Sequence, residues 1–185
     1  MGSVGLIFGS TTGCTADVAS RIAAALHPLC SEPLSIRYGK VDALLAHDAM
    51  ILGVPTWGIG DLQDDWERSR GRLARQDFTG KLVALFGLGD QLGFPDHFLN
   101  AMGTLHEILS DRGATFVGEW PIEGYDFDES TAVVDGRFVG LALDENGQSA
   151  LTDDRIRRWT DQIRPALERH VQASARAGAL QQALC

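Results

Sequence analysis

The chain has 185 residues, 44% hydrophobic and 22% charged, which are ordinary proportions for a soluble globular protein and enough length for one domain with its own core. With 16 Lys and Arg against 25 Asp and Glu, the net charge of -9 disfavours nucleic-acid phosphates and anionic lipid as partners and suits a basic protein. Cys14, Cys30 and Cys185 are odd in number, widely spaced and without a CxxC, which argues against a disulfide framework or thiolate zinc site and, with no signal pattern or membrane-length apolar stretch, for a cytoplasmic protein.

Val4 to Phe8 is a short apolar run ending at Gly9, the pattern of a strand buried on both faces. Val18, Ile22, Ala25 and Leu26 recur at helical spacing until Pro28 ends the helix, and a second strand is expected around Leu34 to Ile36. The alternation continues with Met50 to Val54 as a strand, a helix around Trp66 to Leu73, and Leu82 to Leu88 as a strand. Phe98, Met102, Leu105 and Leu109 stripe a third helix that Gly113 caps, and Ala114 to Val117 reads as a fifth strand. Ile156, Trp159, Ile163 and Leu167 stripe a last helix. Five strands joined by crossover-length connections indicate an α/β protein with a parallel sheet covered on both faces. The segment Pro121 to Val139, polar and turn-rich, and the tail after Pro165 break this rhythm.

In such a sheet, ligands bind beyond the carboxyl ends of the strands, which directs attention to three loops. The first, Ser10-Thr11-Thr12-Gly13-Cys14-Thr15, is rich in hydroxyls and leads into a helix, whose free N–H groups and dipole attract an anion such as phosphate. It is no P-loop, because Gly9 and Gly13 stand one residue too close and Cys14 occupies the place of the lysine. The second, Pro55-Thr56-Trp57-Gly58-Ile59-Gly60-Asp61, places a tryptophan between a strand end and two glycines, where a planar ligand is a natural partner for the ring. The third, Gly87-Leu88-Gly89-Asp90-Gln91-Leu92-Gly93-Phe94-Pro95, mixes glycines, a carboxylate and an aromatic, and misses the dinucleotide fingerprint by one residue. An anion cradle, two aromatics on separate loops and several close-approach glycines together describe a slot for a flat ring with a phosphate tail, the shape of flavin mononucleotide (FMN). His27, His47, His97, His106 and His170 show no metal-ligand pairing.

The segments GLIFGSTTGCTADVA, ILGVPTWGIGDLQDDW, LFGLGDQLGF and FVGLALDENGQSALTDDRIRRW, in this order and at these spacings, resemble the flavodoxins from about Val4 to Ile163. Pro121 to Val139 corresponds to the insertion of the long-chain subgroup, and the character is similar to the nitrogen-fixation-associated members. The resemblance implies a flavodoxin-like three-layer sandwich whose five-stranded parallel sheet has the order 2-1-3-4-5, with the insertion interrupting the fifth strand. It also implies a single domain over 1–185, with an inserted loop at 121–139 and a C-terminal extension at 165–185. Ser10, Thr11, Thr12, Gly13, Cys14 and Thr15 would hold the FMN phosphate. Pro55 and Thr56 would lie near the ribityl chain, and Trp57 would cover the inner ring face. Phe94 stands where the family usually has Tyr on the outer face, and Cys14 where Lys is common. Gly58, Ile59 and Gly60 would border flavin N5, where the Gly58–Ile59 peptide turns its carbonyl towards the N5–H of the neutral semiquinone. Gly87, Leu88, Gly89, Asp90 and Gly93 complete the expected cofactor set.

The activity so implied is one-electron transfer at low potential between semiquinone and hydroquinone, not substrate turnover. The anionic hydroquinone would be disfavoured between the two rings and beside Asp90 and Asp61. A flavodoxin reductase or oxidoreductase would act as donor and the nitrogenase iron protein or another protein as acceptor, met transiently by a monomer. Asp61, Asp64, Asp65, Glu67, Asp126, Asp128 and Glu129 are candidates for an acidic docking rim. Two alternatives remain at this point: an FMN-dependent NAD(P)H:quinone or nitro reductase on the same fold, and a flavin-free receiver-type domain. Pro165 either kinks the last helix or restarts it towards Leu184.

Overall fold

The computed structural model describes residues 4–37 and 41–183, so Cys185 and Leu184 lie outside the described residues. The first strand, β1 (Gly5–Phe8), is followed by helix α1 (Cys14–Leu26), β2 (Leu34–Ser35) and the short helix α2 (Val41–Leu45). Next come β3 (Ala49–Trp57), β4 (Asp61–Leu62), α3 (Asp64–Leu73), β5 (Leu82–Leu88), α4 (Asn100–Ser110) and β6 (Thr115–Val117). The chain then forms β7 (Trp120–Pro121), β8 (Val133–Val134), β9 (Arg137–Phe138) and β10 (Leu141–Leu143), and ends in α5 (Thr152–Ala183).

The parallel sheet runs β2, β1, β3, β5, with the fifth position shared by two strands. There, β6 pairs with the first half of β5, Val117 facing Ala84, and β10 with its second half, Leu141 facing Phe86. This is the expected order 2-1-3-4-5 with an interrupted fifth strand. The interruption holds its own antiparallel sheet in the order β7, β9, β8, where a turn-rich loop was expected. Every residue of β5 is buried, as are the first six of β3, which accounts for their unbroken apolar runs. One face of the main sheet is covered by α1 and α5, which pack together, while α4 packs on β3 and β5.

Two short elements escape the sequence pattern. Rather than ending near Val54, β3 extends to Trp57 and pairs antiparallel with β4, so Trp57 terminates a hairpin. The second is the five-residue helix α2, too short for a periodic signal. Helix α5 runs unbroken across Pro165 and neither stops nor restarts there. The ring removes one backbone donor, but buried Ile163, Leu167 and Val171 keep the helix on the core. Arg164 also donates to the Ala25 carbonyl at 2.6 Å, and His170 Nε2 lies 3.1 Å from the Gly80 carbonyl oxygen.

Candidate functional site

A cavity of about 370 Å³ opens at the carboxyl ends of β1, β3, β5 and β10, within the size range of small-molecule sites. Its lining includes Thr11, Thr12, Cys14 and Thr15 from the first loop, Pro55, Thr56, Trp57 and Gly58 from the second, and Leu88, Gly89, Asp90 and Phe94 from the third. Three loops separated in sequence therefore share one space. The remaining sequence-selected residues shape these loops. The Ser10 hydroxyl accepts from the Gly13 N–H at 3.1 Å, and Gly13 adopts φ 100 to enter α1. Ile59 is the exposed tip of the hairpin, and the Gly60 N–H closes the turn on the Trp57 carbonyl at 3.1 Å. Gly87 lies inside β5 against Met102 and Leu99, and Gly93 donates to Asp90 Oδ1 at 2.7 Å.

The first-turn N–H groups of α1 have no intrahelical partners, so this end of the cavity presents donors and a positive helix dipole. Among the described residues lining the cavity, no Lys or Arg accompanies them. Close packing fixes the loop: Gln63 Nε2 donates to Thr11 Oγ1 at 3.2 Å, and a Cβ on Gly9 would stand 2.4 Å from Gln63 Oε1 and 2.5 Å from Trp66. At the other end the rings of Trp57 and Phe94 line the space while 41% and 45% exposed, a large apolar area left open to water. Trp66 and Trp159, by contrast, are wholly buried, with indole N–H groups donating to the carbonyls of Gly53 and Gly118. Trp57 therefore does not fold back on its own scaffold.

Asp90 is the best-defined charge in the cavity wall. Its carboxylate accepts from the backbone N–H groups of Gly93 and Leu92 and from Asn146 Nδ2, and these bonds hold its carboxyl below the usual carboxylate range. Behind it, wholly buried Asp144 accepts from Gln91 Nε2 at 2.7 Å, Gly147 N–H at 2.8 Å and Asn146 N–H at 3.0 Å. Gln91 in turn accepts from the Asp126 N–H at 2.6 Å, which joins the insertion to the third loop.

His97, Glu145 and Asn146 also line the cavity and were not selected from sequence. The signal for the last two was present, since Asp-Glu-Asn follows a buried strand, but the split fifth strand concealed it. Of the proposed acidic rim, Asp61, Asp126, Asp128 and Glu129 are exposed, whereas Asp65 is only 7% exposed and accepts from Gln63 Nε2 at 3.0 Å. Gln63 caps α3, and Asp65, bonded to Gln63 and 3.4 Å from Arg68, braces its first turn from inside and not at the surface. Asp64 and Glu67 pair with Arg68 and Arg70, which dilutes their charge.

A parallel α/β sheet carrying a hydroxyl-rich helix N-terminus and two open aromatic rings around one cavity defines a protein of the flavin-binding, flavodoxin-like class. The flavodoxin family model matches residues 6–159. A flavodoxin of Synechocystis sp. is 44% identical over 91% of this chain and 99% of its own, and flavodoxin 2 of Escherichia coli is 42% identical over 91% and 98%. The solved structure of Fusobacterium nucleatum flavodoxin bound to flavin mononucleotide superposes with a TM-score of 0.85 at 30% identity, covering 90% of this chain and 99% of that one. This chain belongs to the flavodoxin family, whose members are electron-transfer proteins and not enzymes.

Proposed function

We propose that the chain binds FMN in this cavity and serves as a low-potential one-electron carrier, working mainly in the lower of its two one-electron couples. Bound FMN supplies a centre that takes up and releases electrons singly. The observation that carries the reading is the meeting, in one cavity, of a cation-free helix N-terminus with the exposed rings of Trp57 and Phe94. Ser10 to Thr15 would hold the phosphate through backbone N–H groups and hydroxyls. Trp57 and Phe94 would enclose the ring and exclude water, and the absent Phe94 hydroxyl takes nothing from stacking. The turn at Gly58 and Gly60, with φ 51 and 102, gives the Gly58–Ile59 carbonyl freedom to rotate towards a flavin N5–H. Asp90 and Glu145 in the cavity wall, with Asp61 nearby, oppose added negative charge.

Ile59 and Leu92, 73% and 66% exposed, offer an apolar tip beside the exposed carboxylates Asp61, Asp126, Asp128 and Glu129, a surface suited to brief contact with basic redox partners. On this reading the protein acts as a monomer in the cytoplasm, taking electrons from a reductase or oxidoreductase and passing them to an acceptor such as the nitrogenase iron protein. Titration of the purified chain with FMN, followed by stepwise dithionite reduction, tests the reading. One FMN should bind per chain and reduction should proceed in two resolved steps. A colourless protein indifferent to added FMN would overturn the reading. Rapid oxidation of NADH or NADPH by the chain alone would replace it with a reductase.

A further inference from the structure

Asn100, the first residue of α4, touches three segments that are distant or distinct in sequence. Its Oδ1 accepts from the Thr131 N–H in the insertion at 2.8 Å, and its Nδ2 lies 3.3 Å from His97 Nδ1. A Cβ on Gly60 would stand 3.0 Å from both its Cβ and its Nδ2, so Asn100 lies close behind the Trp57–Gly60 turn and leaves no room there for a side chain. The main chain around it is fastened as well. Thr131 Oγ1 donates to the Asn100 carbonyl at 3.3 Å, and Ser130 Oγ donates to that of Phe98. One turn along α4, a Cβ on Gly103 would fall 2.5 Å from the Thr131 carbonyl group, so the insertion rides directly on the helix. Thr56 Oγ1 accepts from the Ala101 N–H at 3.3 Å, which joins the start of α4 to β3 just before Trp57. Between these attachments, buried Leu99 is held at φ 61, a left-handed conformation that a branched side chain adopts only where its surroundings impose it.

The front of the turn faces solvent, with Ile59 strongly exposed, and its two positive-φ glycines provide little stiffness of their own. Restraint comes from the pairing of β3 with β4 at Trp57 and Asp61, from the Gly60 to Trp57 bond within the turn and from Asn100 behind it. Asn100 does not line the cavity between the three loops; with Thr131 it lines a separate groove beside the insertion, so it meets the turn from behind.

We propose that Asn100 is a positioning residue through which the insertion, by way of Thr131, sets the rotational freedom of the Gly58–Ile59 peptide. The proposal rests on the reading of that peptide given under Proposed function. With the rest of the turn held from behind, rotation of that one peptide orders fewer other groups, so aligning its carbonyl costs less entropy and the two one-electron steps separate more sharply.

The test measures two quantities on the full chain: amide hydrogen exchange across residues 56–62, with and without FMN, and the separation of the two one-electron midpoint potentials with FMN bound. Asn100→Ala, which removes the side chain packed behind Gly60, should speed exchange in the turn several-fold and should narrow the separation. Asn100→Asp, which keeps an acceptor for Thr131, should restore most of the exchange protection. Thr131→Val, which removes only the Oγ1 donor and lies outside the cavity, should move both quantities in the same direction by less. Wild-type exchange and separation in Asn100→Ala, or a Thr131→Val protein unchanged in both, would overturn the proposal. Should the wild type fail to bind FMN, the functional reading falls while the exchange measurement still decides whether Asn100 holds the turn.

Discussion

Asn146 Nδ2 donates to Asp90 Oδ2 at 2.9 Å, so the loop after β10 fixes the one carboxylate of the cavity wall whose proton affinity is clearly depressed. The backbone N–H of Gly93 contributes most to that depression, with Asn146 next. Replacing Asp90 by Asn should make the lower one-electron potential less negative. A unit charge ~10 Å away at an effective dielectric of ~20 is worth about 1 to 2 kcal/mol, on the order of 50 mV for one electron. Redox titration of both proteins checks this. Because the folded carboxyl titrates below its unfolded value, the stabilisation it provides is present above the ordinary Asp range and disappears as pH falls through the folded pKa. The stability difference between wild type and Asp90→Asn, measured by urea unfolding, should therefore shrink between about pH 5 and about pH 2.

Cys14 and Cys30 should react very differently. The Cys14 thiol is exposed and lines the cavity at the start of α1, whereas burial, reinforced by Glu32, pushes the Cys30 thiol up to about 12. Iodoacetamide at neutral pH should alkylate Cys14 in the flavin-free chain and leave Cys30 unmodified, with saturating FMN protecting Cys14. Peptide mass mapping reads both outcomes, and equal labelling of Cys14 with and without FMN would count against the phosphate placement.

Gly118→Ala should be severely destabilising. Gly118 has φ 95, and an added Cβ would stand 2.7 Å from the indole nitrogen of buried Trp159 and 2.8 Å from Ile163. The same indole donates to the Gly118 carbonyl at 2.8 Å, leaving little room to yield. Backbone strain and overpacking together should cost about 3 kcal/mol, measurable by chemical denaturation.

His106 packs on Phe116 with ring centroids 4.2 Å apart and planes tilted by 43°, and burial lowers its pKa against the opposing pull of Glu119. In the unfolded chain the imidazole binds a proton more readily than in the folded one, so stability falls as pH drops through the unfolded value of about 6.5. His106→Gln should flatten that part of the pH–stability profile, and unfolding curves between about pH 8 and about pH 5 test it.

The main strands were legible because β3 and β5 are buried on both faces and so appear as unbroken apolar runs, and the three loops stood out because hydroxyls, glycines and aromatics punctuate those runs. Length limited the rest. A two-residue strand such as β4 and a five-residue helix such as α2 carry no periodic signal, so the hairpin that presents Trp57 was invisible. Asp65 misled for another reason: its type suggests a solvated charge, while capping geometry and Gln63 bury it. Pro165 misled because tertiary packing on α1 and the core outweighs the loss of one donor.

At the fifth position of the sheet, Val117 leaves opposite Ala84 and Leu141 returns opposite Phe86, with only Leu85 between those registers. The excursion thus departs and re-enters at neighbouring rungs of one ladder, like a siding that rejoins its track. Lengthening or trimming it need not slip any other strand pairing, and what it contributes to the cavity travels through side chains such as Gln91 and Asn100.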